Sequence, residues 1–217
     1  MAGQRVVAVA ADLKHSLALT TDGGVWSWGG GLYGVLGHGD HEDQLLPKKI
    51  EAFAGQRVVA VSAQNNMSVA ITADGAVWSW GLNHGRGVVL GHGDEPTLLP
   101  KKVEAFAGQR VVAVSAGLYH SLAITADGAV WSWGEADFGK LGHGDEQRQL
   151  LPKKIEAFSV RRVVAVSAGT DHSLAITADG AVFTWGRGGH GCLGQGEDLS
   201  NQLLPKKIEA WAPGAGQ

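Results

Sequence analysis

Only one cysteine, Cys192, stands in 217 residues, so no disulfide can form within the chain and nothing in the thiol content requires an oxidising compartment. Basic excess is missing too. Eighteen Lys and Arg face 21 Asp and Glu, a net charge of −3, whereas a surface built for the nucleic-acid backbone needs a clear positive balance. No apolar run approaches the roughly 18 residues of a membrane span, and Met1–Arg5 has neither the basic stretch nor the apolar run of a secretory leader. The expectation is a soluble protein, cytoplasmic or nuclear, with no membrane partner and no nucleic-acid partner. Proline is sparse, six residues, and no segment has helical spacing long enough for a crossover helix, which excludes βαβ units. Glycine is the residue in excess, 33 in all, against an average usage of about 7%; that fits many short strands joined by tight turns.

The chain repeats itself. Arg-Val-Val-Ala-Val begins at Arg5, Arg57, Arg110 and Arg162, and Leu-Leu-Pro-Lys-Lys at Leu45, Leu98, Leu150 and Leu203. The two series run in step and define four copies, at about 5–56, 57–109, 110–161 and 162–211, within a single domain over 1–217. In the third copy, Val111–Ser115 is a β-branched run expected to form a strand buried on both sides. Ser121–Thr125 alternates small or polar with large apolar residues. Asp127-Gly128 then predicts a two-residue hairpin, because both residues tolerate positive φ. Val130-Trp131-Ser132-Trp133 is the third strand, stopped by Gly134. A glycine-rich loop through Leu141-Gly142-His143-Gly144-Asp145 leads to a fourth strand, Pro152–Ile155, opened by its proline. Four short strands in a copy of some fifty residues predict an all-β fold, a β-propeller built of four-stranded antiparallel blades. The paired lysines of the fourth strand, Lys48 and Lys49 in the first copy, belong on a solvated outer edge that resists pairing with other chains. Glu51, Glu104, Glu156 and Glu209 offset them.

These residues resemble the regulator of chromosome condensation repeat family, whose pattern is Gly-x-x-His-Ser, then Asp-Gly-x-Val-Trp-x-Trp-Gly, then Leu-Gly-x-Gly and a proline-containing strand. The third copy matches throughout, at Gly117–Ser121, Asp127-Gly128, Trp131–Gly134, Leu141–Gly144 and Pro152. The resemblance implies blades of a seven-bladed ring, of which this chain has four. It also implies one of several roles: exchange factor for a small GTPase, targeting module of a ubiquitin ligase, or ultraviolet-B photoreceptor. Photoreceptor members carry tryptophans in the Gly-x-x-His segment; Leu13-Lys14, Asn65-Asn66, Leu118-Tyr119 and Thr170-Asp171 stand there instead. Exchange factors carry an inserted wedge, and no copy here has an insertion of more than about two residues.

Repeated polar residues invite chemical readings. His15, His120 and His172 recur, but Met67 breaks the set; the resemblance implies a structural role, bonding backbone between strands, rather than metal binding. Trp28, Trp80, Trp133 and Trp185 are expected to pack between blades. His38/Asp40, His92/Asp94 and His143/Asp145 have the residue types of acid–base pairs. They sit in a glycine-rich turn, are replaced by Gln195 and Glu197 in the fourth copy, and are dispersed one per blade, whereas an active site converges different residues on one point. Cys192 has no activating neighbour in sequence. No catalytic residue, metal or cofactor is expected.

The copies differ mainly in two loops, before the second strand and after the Trp-Gly. Leu13, Lys14, Leu32, Tyr33, Asn65, Asn66, Leu118, Tyr119, Phe138, Thr170 and Asp171 are the partner-binding candidates there, with Asn83–Arg86 and Gly188–His190 in the same class of loop. The expected function is a non-catalytic protein-interaction scaffold. An exchange-factor-like regulator of a small GTPase and a purely structural or designed array are the alternatives. Closure has three routes: a four-bladed ring in one chain, an eight-bladed ring from a homodimer, or an array that is a fragment or engineered. The symmetric pair is the expectation carried forward.

Overall fold

The computed structural model describes residues 3–82, 90–93 and 97–209. Its strands fall into four antiparallel sheets in chain order. Blade 1 holds β1 (Val6–Ala11), β2 (His15–Thr20), β3 (Val25–Gly29) and β4 (Gln44–Lys49), and blade 2 holds β5 (Val58–Gln64), β6 (Met67–Thr72), β7 (Val77–Gly81) and β8 (Thr97–Lys102). Blade 3 holds β9 (Val111–Ala116), β10 (His120–Thr125), β11 (Val130–Gly134) and β12 (Gln149–Lys154), and blade 4 holds β13 (Val163–Ala168), β14 (His172–Thr177), β15 (Val182–Gly186) and β16 (Gln202–Lys207). First strands of successive blades pack on one another, which makes them the inner strands and β4, β8, β12 and β16 the outer ones.

Three local expectations are corrected. The hairpin between second and third strands has three loop residues: Thr20 N donates to Gly24 O, and in that loop only Gly23, at φ +86°, is left-handed. Asp22 keeps a negative φ because its carboxylate has another task, accepting the Thr20 hydroxyl at 2.5 Å and the Gly24 N–H at 3.2 Å. The hydroxyl bond, followed by the backbone one, holds the Asp22 carboxyl below its ordinary range, and the same turn recurs at Asp74, Asp127 and Asp179. The fourth strand starts three residues before its proline, at Gln149, and Pro152 lies within it. The pairing jumps there from Ser132↔Lys153 to Gly134↔Gln149, so the proline occupies a bulge where no ladder N–H is needed. The first strand is not buried on both sides. Val111 is buried but Val112, the extra residue where the register shifts opposite Ile124 and Thr125, is 51% exposed.

The core consists of the junctions between blades. Leu17, Leu19, Val25, Ile50 and Phe53 of blade 1 pack on Val58, Ala63, Ala70 and Trp80 of blade 2. The same partition joins blade 2 to blade 3, with Trp133 at its centre, and blade 3 to blade 4, with Trp185. Phe53 meets Trp78 and Trp80 edge-on at 5.8 and 5.7 Å, the geometry the ring quadrupoles favour. Trp80, Trp133 and Trp185 are fully buried, whereas Trp28 of blade 1 is only partly so. That difference corrects the one-chain ring: the leading face of blade 1 and the trailing face of blade 4 do not cover each other.

Candidate protein-binding face

In an antiparallel sheet with strands in chain order, the first and third connections leave at one end and the second at the other. The two variable loops of every blade therefore share one face. On it Leu13 is 86%, Leu32 53% and Tyr33 39% exposed. Lys14 and Thr170 are exposed, and Leu118, Tyr119 and Phe138 half-buried. Tyr33, Phe138 and His190 hold equivalent places in short 3₁₀ turns, at φ +66°, +64° and +61°. The turn needs a left-handed residue at this point, and that costs a non-glycine residue about 1–2 kcal/mol. Asn83–Arg86, the second copy's loop, lies outside the described residues, as does Asp94.

Other candidates on this face hold blades together. Asn66 N donates to Asp12 Oδ2 at 2.8 Å, and Asn65 Nδ2 reaches Leu118 O of the next blade at 2.5 Å. Asp171 accepts from Lys140 Nζ at 3.0 Å and from Arg187 at 3.4 Å. Lys140 is the residue that reading the sequence missed. Its ammonium is 1% exposed, 5.2 Å from the Tyr119 ring centroid and 6.0 Å from that of Phe138. Arg187 stacks 5.1 Å from Phe138. The available signal was a lysine where the first copy has Val35, with Asp171 some thirty residues on. Without the fold, nothing places those two side chains across one junction.

Two of the repeated histidines, His15 and His120, bond hydroxyls across the junction rather than backbone between strands. His15 Nε2 lies 2.9 Å from Ser68 Oγ and His120 Nε2 2.7 Å from Ser173 Oγ, each serine belonging to the next blade. Each hydroxyl donates onward, to Val35 O or Lys140 O, so the ring must be the donor at Nε2. Burial, above all, pushes the His120 pKa down to about 3, with Lys140 and His172 adding to it. Where Met67 replaces histidine, Ser121 Oγ is buried with no hydrogen-bond partner among the described residues.

His38/Asp40 and His143/Asp145 are turn clamps, whereas neither buried ring nitrogen of His92 makes a hydrogen bond among the described residues. His38 and His143 approach Ser27 and Ser132 at 2.9 Å, and those hydroxyls donate to Leu36 O and Leu141 O. In blade 4 the Gln195 amide donates to Thr184 Oγ1 at 3.2 Å in the same place. A glutamine does this work, so it needs a donor and not a proton carrier. Asp40 and Asp145 accept the N–H two residues on, at 3.0 and 2.9 Å. Cys192 is exposed, with Sγ 2.8 Å from Arg187 O. Among the described residues, no three His, Cys, Asp or Glu side chains are grouped to hold a metal ion, and no helix is long and apolar enough to cross a membrane. The opposite face carries shallow clefts of about 260 and 300 Å³, lined by Asp22, Lys49 and Arg57 or by Asp74, Lys102 and Arg110.

Four-stranded antiparallel sheets joined by aromatic junctions define a β-propeller blade array. The sequence matches the RCC1-like domain over residues 1–216, and the chain belongs to that family. It is 39% identical to the human E3 ubiquitin-protein ligase HERC2 over 200 residues, covering 89% of this chain and 4% of HERC2. With the ultraviolet-B receptor UVR8 of Arabidopsis thaliana it shares 38% identity over 210 residues, 96% of this chain and 47% of the receptor. Yeast RCC1 (Prp20), solved bound to Kap60, superimposes with a TM-score of 0.81 at 26% identity, covering 96% of this chain and 49% of Prp20. A second Prp20p structure, from Saccharomyces cerevisiae and concerned with binding to Gsp1p and histones, gives 0.80 at 26% identity, over 96% of this chain and 51% of that one. The chain thus spans about half the length of UVR8 and Prp20 and a small part of HERC2.

Proposed function

We propose that the chain is a non-catalytic scaffold, working in the cytoplasm or nucleus, whose four repeats act as one domain and whose protein partner docks on the face formed by the first and third loops of each blade. The observation that carries this reading is the exposure of Leu13, Leu32 and Tyr33 on turns fixed by backbone bonds and left-handed geometry. Large apolar side chains held rigidly in solvent lose little entropy on binding and gain the burial of their full surface. The family supports it, since yeast Prp20 is solved in complex with Kap60. A second copy of the chain, closing an eight-bladed ring, is the other partner we propose; it would use the open blade ends and leave the loop face free.

The test is affinity capture with three baits: the chain itself, Leu13→Asp/Leu32→Asp, and Lys49→Glu on the opposite end of blade 1. A protein retained by the first and third and lost by the second is the expected result. Retention by all three, or by none, overturns the loop-face assignment. A nucleotide-release assay across small GTPases is expected to be silent, because the loops carry no long insertion; acceleration would move the chain to the exchange-factor class.

A further inference from the structure

The net charge of −3 conceals a partition that the fold makes. Among the described residues of the first and third connections of the blades, eleven are Asp or Glu and four are Lys or Arg. In the rest of the described chain the balance reverses, with eight acidic residues against thirteen basic. Strand direction is the cause. Arg57 and Arg110 precede first strands, and Lys48-Lys49 and Lys101-Lys102 end fourth strands, so both motifs lie at the end of the blade away from the loop face. The acidic residues between third and fourth strands collect at the other end.

Most cations on the loop face are already paired. Lys140 and Arg187 hold Asp171, and Arg148 Nε lies 3.2 Å from Glu135 Oε1, all on blades 3 and 4. Blade 1 differs. Asp40, Glu42 and Asp43 form no ion pair among the described residues, and Lys14 is the one Lys or Arg in its two loops. Those loops meet: Gly30 N donates to Lys14 O at 2.8 Å, and Gly31 N to Asp43 Oδ1 at 2.8 Å. Leu13 and Leu32 each stand one residue from that contact. The turn carrying Leu32 and Tyr33 packs on β8 of blade 2, where a Cβ on Gly34 would meet Leu98 Cα at 2.7 Å. Exposed apolar side chains therefore share one patch with the exposed carboxylates of Glu42 and Asp43.

We propose that the loop face takes a protein segment rich in Lys and Arg that also carries large apolar side chains, with Leu13, Leu32 and Tyr33 anchoring it and Asp40, Glu42 and Asp43 meeting its cations. This rests on the loop-face docking proposed above and adds the chemistry of the partner. Complementary potential sets orientation and speeds encounter, and it rejects acidic segments, which would bring like charges together. Screening at physiological salt acts over about 8 Å, so a docked segment responds to the carboxylates of blade 1 rather than to the charge of the whole chain. The opposite end has a basic excess, which turns the same segment away from the second face.

Fluorescence anisotropy with the whole chain and three labelled peptides tests this. The first peptide is made of Lys, Arg and Leu with Gly-Ser spacers, the second has Glu for every Lys and Arg, and the third has Ser for every Leu. The first should bind, more weakly as salt rises, and the other two should not. Glu42→Gln/Asp43→Asn should weaken that binding about three- to tenfold, the effect of two exposed ion pairs. Glu51→Gln/Glu104→Gln makes the same change of net charge at the opposite end and should leave binding as it was. The Asp43 change spares the loop, since Asn201 Oδ1 accepts the Gly188 N–H at 3.1 Å in the matching place of blade 4. Equal binding of the Glu peptide, or equal loss in both double variants, overturns the proposal. A captured protein that Leu13→Asp/Leu32→Asp loses and Glu42→Gln/Asp43→Asn retains in full keeps the docking face and overturns the basic partner. A chain that captures nothing and binds none of the peptides overturns both.

Discussion

Lys140 and Val35 occupy the same place in two junctions, and both lend their carbonyl to a tryptophan of the next blade. The side chains differ in kind. Valine fills the site, whereas lysine brings a charge that Asp171 and two rings must hold. Breaking a buried pair from one side leaves an uncompensated charge, whereas replacing the ion by a fitting apolar group costs little. Asp171→Ala should therefore destabilise by about 2–3 kcal/mol, below the roughly 3–5 kcal/mol of a fully buried pair because Asp171 is partly open to solvent. Lys140→Val should be neutral or stabilising. Urea unfolding of both variants decides it; equal losses would show that the lysine is held by packing alone. Serine gives a second contrast. Ser173→Ala removes the hydroxyl that His120 bonds and should cost about 1–2 kcal/mol, whereas Ser121→Ala, facing Met67, removes a hydroxyl without a partner and should cost less or stabilise. Both histidine contacts and this mismatch are visible as sequence positions, but only the junction shows which serine each histidine meets.

The loop clamp between third and fourth strands, made by His38, His143 and Gln195 in blades 1, 3 and 4, carries a pH dependence. Burial first, then Lys153, lowers the His143 pKa to about 4, below the ordinary 6.5 of the unfolded chain. The folded state is therefore the weaker proton binder. Its stabilising contribution is complete above pH 6.5 and is lost as pH falls from 6.5 towards 4, while the unfolded chain takes up protons. His120, at about 3, acts in the same direction over a wider range. The melting temperature should fall on acidification from pH 7 to 4. His143→Gln, which copies the Gln195 clamp, should match the parent at pH 7 and fall less steeply; a slope equal to the parent's would assign the effect to other groups. Hairpin tips make a further contrast. Gly128→Ala should cost more than Gly180→Ala. Both have positive φ, but only Gly128 has Arg162 pressed against it. Similar melting temperatures would show that φ strain alone governs these turns. The Asp-Gly signal located these hairpins in the sequence but implied two-residue loops, because the Thr–Asp side-chain bond that reshapes the turn has no propensity of its own.

For the whole molecule, stability resides between the blades. Each sheet presents apolar faces that its own strands cannot cover, so a break at any junction should propagate as in other stacked-repeat proteins. The copies at Arg5, Arg57, Arg110 and Arg162 determined by themselves that the fold is a run of antiparallel blades, because identical strand and turn signals in register admit one local solution. Those copies also marked the two loops where the blades differ. Tertiary structure alone decided that both loops share one face, that Asn65, Asn66 and Asp171 spend their polar groups between blades, and that Lys140 lies buried. Contacts between neighbouring blades join residues up to 64 positions apart, and their geometry depends on the angle at which whole sheets meet, which no local pattern encodes.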